Sequence, residues 1–357
     1  MAHSQSDTSA TQTTDISVSE GFEDFLASQN LTIAATSYQS GRLYLLGRHP
    51  NGGLVLSEEY FRKAMGLHVK ENTLHLLSEG HLLDLVSNQA PGSVGKTFTP
   101  SALHPIGNVN AHDIAVTNDG QMVFVNTRFN CLATLSDDDG FKPIWSPPFL
   151  HGAQMGDRCH LNGLAIENGS SAYVTGMART CRVNGWRRHR NDGGFVMEVQ
   201  TNRVICEGLS MPHSPRIHDG VLWACNSGTG ELGIIDRESE EFTPLAFCPG
   251  FIRGLAFHGQ YAFVGLSRPR HARFDGLPLH DNLIKSGQEP WTGIQIIDTI
   301  SGDIAGWVRI EGPVTELYDI AILPDTAFAI ADGMPPAAYM VDASNKDFAP
   351  EIAISAQ

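Results

Sequence analysis

The chain of 357 residues has no apolar run long enough to cross a membrane as a helix. Its first eighteen residues, MAHSQSDTSATQTTDISV, lack the basic start and apolar stretch of a secretory signal. Basic residues are few: 24 against 39 acidic ones leave a formal charge of −15. That balance excludes nucleic acid and an anionic membrane surface as main partners. Cysteine is sparse, six in all, at 131, 159, 181, 206, 225 and 248, and its spacing matches no zinc ribbon. Without a signal peptide, these are expected to be reduced thiols in a cytoplasmic protein. Also absent are a Gly-rich phosphate loop, a GxSxG elbow, an HExxH pair and paired CxxC, which removes the usual local signatures of nucleotide, serine-hydrolase and zinc chemistry.

What the chain has is a repeated phrase. HDIAV (112–116) runs into MVFVN, NGLAI (162–166) into AYVTG, and HSPRI (213–217) into VLWACN. RGLAF (253–257) runs into YAFVG, and YDIAI (318–322) into AFAIAD. Each is a short apolar strand, a turn and a second apolar strand. Most continue into a second hairpin, as in GFVMEV–QTN–RVICEGL. Four strands per unit at this period predict an all-β propeller of four-stranded antiparallel blades. Five units are clear, starting near 108, 158, 211, 250 and 315. Two weaker ones precede them, TIAATSY–QSG–RLYLLGR–HPNG–GLVLSEEYF and AMGLHVKEN–TLHLLSEG–HLLDLVS. Seven blades are expected, with six as the alternative if residues 31–86 make one irregular blade. Residues 1–18 read as a disordered polar leader. Residues 19–30 read as a short helix with Ser19 as its cap, and residues 31–357 as one propeller domain. A strand near 350–355 is expected to pair with N-terminal sequence and close the ring.

The first strand of a propeller blade lines the central channel, so aligned positions share a height there. Stacking the five phrases gives a row of His112, Asn162, His213, Arg253 and Tyr318. Two residues earlier stand Asn110, His160, Met211, Phe251 and Glu316, on the same strand face by the two-residue period. The weaker units offer Ala34 and Met65 at the first-row position. His112, Asn162, His213, Arg253 and Tyr318, with His160 and Glu316, are the candidate catalytic set. An imidazole or Tyr318 moves a proton and Arg253 holds developing negative charge. His112, His160 and His213 are alternatively ligands of a divalent zinc, iron or copper ion. Two insertions, 179–194 and 267–293, bring Trp186, Arg187, Arg188, Arg268 and Arg270 as candidate ligand-binding residues. Clustered arginine in so acidic a chain suits an anionic small molecule or peptide substrate.

The phrases DRCHLNGLAI (157–166), GLSMPHSPRIHDGVLWACNSGTGELG (208–233) and PGFIRGLAFHGQYAFVGLSRPR (249–270) resemble a family of bacterial conserved hypothetical proteins. HDIAVTNDGQMVFVNTRFNCLATL (112–135) and AMGLHV (64–69) follow the same pattern, and the resemblance runs from about residue 31 to 335. It implies a propeller-like fold and supplies no activity, so no residue role is carried over from it. The expected function is an enzyme of lyase, hydrolase or isomerase type, metal-assisted or not, working at the channel mouth. The alternative is a non-catalytic binding or scaffold propeller that docks a partner on its arginine-rich loops.

Overall fold

The computed structural model describes residues 14–89, 93–269, 273–312 and 314–332. Among the described residues the apolar strands pair into six sheets around one axis, antiparallel throughout except for one outermost strand, and the strands facing that axis define the blades. Blade 1 starts with Leu67–Lys70, blade 2 with Ala111–Val116 and blade 3 with Leu161–Glu167. Blade 4 starts with Pro212–His218, blade 5 with Phe251–His258 and blade 6 with Ile320–Pro324. The protein is a six-bladed β-propeller, the alternative count of the sequence reading.

The seventh expected blade disappears for a topological reason. YDIAI and TIAATSY each read locally as the start of a unit, and they belong to one. Ile320–Pro324 pairs antiparallel with Leu31–Ser37, placing Ala321 opposite Ala34. Residues 42–48 and 54–60 then complete blade 6. Ala34 is therefore on a second strand and away from the channel. AFAIAD does not form a hairpin with YDIAI either. Phe328–Ala331 pairs in parallel with Gly95–Pro105 on the outer edge of blade 1. Ile16–Val18 similarly covers the outer edge of blade 5 at Ile304–Ile310. Covered outer edges leave fewer free strand groups for aggregation. The strand expected near 350–355 lies outside the described residues, as do residues 1–13.

Helix α1 (Phe22–Gln29) follows the first strand and buries Phe22 and Leu26 between blades 5 and 6. Ser19 does not cap it. Its hydroxyl accepts the Trp307 N–H at 3.0 Å, and Gly21, in the left-handed region, holds the cap position. The insertion 267–293 is not irregular throughout, since helix α2 (Pro278–Ser286) lies within it. Among the described residues no helix is long and apolar enough to cross a membrane. All six cysteines are unpaired, five of them buried and Cys181 exposed.

Hydroxyls at the ends of second strands tie neighbouring blades. Thr127 Oγ1 donates to the Leu161 carbonyl at 2.5 Å, Ser267 Oγ to Leu317 at 3.2 Å and Thr36 Oγ1 to Met65 at 2.5 Å. Inner strands converge so closely that some positions admit no side chain. A Cβ on Gly254, whose φ is +74°, would lie 2.8 Å from the Asp319 backbone. Gly254→Ala is expected to cost about 2–4 kcal/mol through left-handed strain and overpacking. Thermal unfolding checks this: an unchanged midpoint would show that blades 5 and 6 can move apart at the axis.

Candidate functional site

An axial cavity of about 480 Å³ opens at one end of the channel. From the first row, His112, His213, Arg253 and Tyr318 line it, with Met65 from blade 1. All five second-row residues, Asn110, His160, Met211, Phe251 and Glu316, line it too. Strand periodicity is not what brings the first three of them there. Asn110, His160 and Met211 precede their strands with φ near +50° (53°, 50° and 48°). The inner strands of blades 2 to 5 also carry register shifts. Left-handed conformation in a His and a Met costs on the order of 1 kcal/mol or more, and such strain concentrates at functional sites.

Asn162 falls outside the cavity wall. Its Nδ2 donates to the Pro212 carbonyl at 3.0 Å and its Oδ1 accepts from Thr175 Oγ1 at 2.6 Å. The side chain is spent joining blades 3 and 4, where a bulge between Leu161 and Gly163 breaks the alternation.

The three imidazoles share one arrangement. His112 Nδ1 donates to the Asn110 carbonyl and to Thr127 Oγ1, both at 2.8 Å. His213 Nδ1 donates to the Met211 carbonyl at 3.0 Å and meets Ser227 Oγ at 2.9 Å. His160 Nδ1 donates to Asp157 Oδ2 at 2.7 Å. An acceptor at Nδ1 fixes the proton there and leaves Nε2 as a lone pair. Among the described residues no hydrogen bond engages any of the three Nε2 atoms. Burial pushes the His112 and His213 pKa values well below the usual imidazole range, helped by His160 for His112 and by Arg253 for His213. Both rings are therefore neutral at physiological pH.

On the other side, Arg253 Nη2 pairs with Glu316 Oε2 at 2.6 Å, and Glu316 is only 1% exposed. Glu316 Oε1 accepts the Gln39 N–H at 3.0 Å. The guanidinium lies over the Tyr318 ring at 4.8 Å. Burial raises the Tyr318 pKa well above its usual 10, against the pull of Arg253, so the phenol stays protonated. Tyr318 Oη and Arg253 Nε are buried without a hydrogen-bond partner among the described residues. Unmatched buried polar atoms cost about 1–3 kcal/mol each and are expected where a ligand completes them.

The insertion 179–194 is docked on this cavity. Trp186 is buried, its ring 4.3 Å from that of His160, and its Nε1–H donates to the same Asp157 Oδ2 at 3.0 Å. Arg187 lies over Trp186 at 4.5 Å, and Arg187 and Arg190 line the wall. Arg188 faces a different hollow formed by residues 179–189. Arg268 reaches the wall but gives Nη2 to the Gly312 and Val314 carbonyls, and Arg270 lies outside the described residues. Trp291 packs on Trp307 and Arg309 away from the cavity. The sequence reading missed Asp157, three residues before His160, whose carboxylate binds both His160 and Trp186.

Among the described residues no group of three or more His, Cys, Asp or Glu side chains is arranged to hold a metal. His112 and His160 meet edge-on at 4.9 Å, so the expected shared ion gains no support from the arrangement as it stands.

Beneath the cavity, Arg216 stands where other phrases carry alanine. Its Nη1 pairs with Asp113 at 2.8 Å and also donates to the Leu164 and Pro215 carbonyls. Its Nε donates to Leu255 and its Nη2 lies 3.6 Å from Asp319. Asp319 accepts the Leu67 N–H at 2.8 Å. One guanidinium thus links blade 4 to blades 2, 3, 5 and 6, and through Asp319 to blade 1.

A chain of the nidogen/laminin complex matches with a TM-score of 0.54 at 11% identity, over 83% of this chain and 99% of that one. A catalytically inactive virginiamycin B lyase from Staphylococcus aureus with quinupristin matches at TM-score 0.42 and 12% identity, over 84% and 100%. A streptogramin B lyase matches at 0.42 and 10%, over 78% and 76%. The first of these likenesses is to the fold alone. No curated protein matches the sequence. Residues 20–331 match the family described as Domain of unknown function (DUF4915), and the chain belongs to that family.

Proposed function

We propose that the protein is an enzyme that moves a proton on a small anionic substrate bound in the axial cavity, by chemistry of lyase, isomerase or hydrolase type. One observation carries this reading: three imidazoles share a cavity with a phenol and a guanidinium, and among the described residues their Nε2 atoms, the phenol oxygen and the guanidinium Nε have no hydrogen-bond partner. His160, backed by the Asp157 carboxylate, is placed to take the proton, because the carboxylate stabilises the imidazolium that forms. Neutral His112 and His213 accept hydrogen bonds from substrate and orient it. Arg253 and Tyr318 donate to the oxygen on which negative charge develops. Glu316 holds Arg253 in place. Arg187 and Arg190 add positive charge at the rim of a protein of net charge −15, which favours an anion there.

Hydrogen exchange reads proton transfer whatever the overall reaction. Purified protein is incubated in D₂O with a panel of 2-oxo and 2-hydroxy carboxylates, and loss of carbon-bound hydrogen is followed by proton NMR. Exchange is expected for at least one member, falling about 100-fold or more in His160→Asn. No exchange across the panel, with tight ligand capture intact in His160→Asn, would favour the binding-propeller reading. Metal analysis of the same sample reads the metal alternative, since a stoichiometric ion lost in His112→Ala and His213→Ala would establish it.

A further inference from the structure

The cavity wall is not uniform, and its asymmetry bears on what it takes. Its charged side chains are Arg187 and Arg190 from the first insertion, with Arg253 and the imidazoles beside them. Its apolar side chains are Phe251, Phe274 and Leu277, with Met211 packed beside Trp186. Phe251 and Phe274 stack with ring centres 6.5 Å apart and planes 27° apart. His213 meets Phe251 edge-on at 5.5 Å, and Arg253 lies over the same ring at 5.7 Å.

Phe274 and Leu277 are held in place by the helix that follows them. α2 buries Leu279 and Leu283, the Leu279 N–H donates to the Gly228 carbonyl at 2.7 Å, and Asn282 Nδ2 donates to Thr229 at 2.9 Å. Residues 273–286 of the second insertion are thus fixed on blade 4, with Phe274 and Leu277 at the mouth. Its Gly276 comes near Arg190 of the first insertion: a Cβ there would lie 3.8 Å from Arg190 Nη2. Charged and apolar walls therefore meet over one opening. A volume of about 480 Å³ also exceeds what an acid of two or three carbons fills, and lies in the range of pockets for larger organic ligands.

We infer that the substrate is an aromatic or similarly flat apolar acid, its ring against Phe251 and Phe274 and its anionic group toward Arg187 and Arg190. The inference rests on the axial cavity being the substrate site. An aromatic body suits this wall because ring faces and edges complement the Phe251–Phe274–His213 cluster, and burying a phenyl group strengthens binding by about ten-fold or more.

Isothermal titration of the full-length protein with phenylpyruvate and with pyruvate tests it. Phenylpyruvate is expected to bind at least about ten-fold more tightly. Phe274→Ala should remove most of that difference. Arg187→Ala combined with Arg190→Ala should weaken both acids. Equal binding of the two acids, or a ratio that survives both Phe274→Ala and Phe251→Leu, overturns the assignment of an aromatic substrate while leaving the site itself standing. If Arg253→Lys and His160→Asn leave the binding of both acids untouched, the cavity is not where they bind, and the functional reading falls with the inference. Circular dichroism of each variant confirms that the ring is intact.

Discussion

Arg216→Met should destabilise the propeller by about 3–5 kcal/mol, the usual cost of stranding a buried charge by removing its partner. The substitution keeps the length of the side chain and deletes its charge. It leaves Asp113 and Asp319, 4% and 3% exposed, facing each other without a cation. It also frees the Leu164, Pro215 and Leu255 carbonyls and cuts the link between blades. The loss should depend on pH. Burial raises the Asp319 pKa to about 7, with Arg216 pulling against it. A carboxyl whose folded pKa exceeds its unfolded value favours the folded state at low pH, and that stability is lost as pH rises through the folded pKa. Wild-type stability from this group therefore falls between about pH 4 and 7. Without Arg216 the fall extends to higher pH, because the cation that lowers the Asp319 pKa is gone and Asp113 still raises it. Urea unfolding at pH 5.5 and pH 8 reads both effects. Arg216→Met with Asp113→Asn and Asp319→Asn should recover much of the stability. If the single variant unfolds within about 1 kcal/mol of wild type at pH 8, the central arginine is not the tie it is taken to be.

Arg253→Met should have the largest effect on function, lowering proton exchange by about 10²–10³-fold, the usual consequence of losing a donor to a developing oxyanion. It should also destabilise, because Glu316 is almost fully buried and Arg253 is its side-chain partner. The two consequences separate in Arg253→Met combined with Glu316→Gln. An uncharged amide still accepts the Gln39 N–H and needs no cation. The double variant is expected to regain stability and to remain inactive. If it regains exchange as well, Arg253 serves only to neutralise Glu316, and the donor role passes to Tyr318 alone.

Much of the site is legible in the sequence because equivalent positions of a repeat converge on one axis. His112, His213, Arg253 and Tyr318 follow from the register of the phrases, and His160 and Glu316 from the row before them. Asn162 shows where that inference breaks. Its amide is taken up by the Pro212 carbonyl and the Thr175 hydroxyl, and nothing in NGLAI announces those contacts. Asp157 escapes such a reading because its value lies in contacts with His160 and Trp186, the latter 29 positions away. Arg216 is noticeable as the one charged residue in a column of alanines. Its meaning appears only when Asp113 and Asp319 are seen to approach it from other blades.

By itself the sequence determined the blade: alternating apolar strands, polar turns and the phrase that marks each channel-lining strand, all set by local pattern. The tertiary structure decided the number of blades, since closure pairs Ile320–Pro324 with Leu31–Ser37 and so merges two units that local pattern counts separately. It also decided the chemistry of the channel. Which imidazoles and which phenol face the cavity, and which carboxylates share a cation, depend on left-handed turns and contacts between blades, and these are fixed only when the ring is closed.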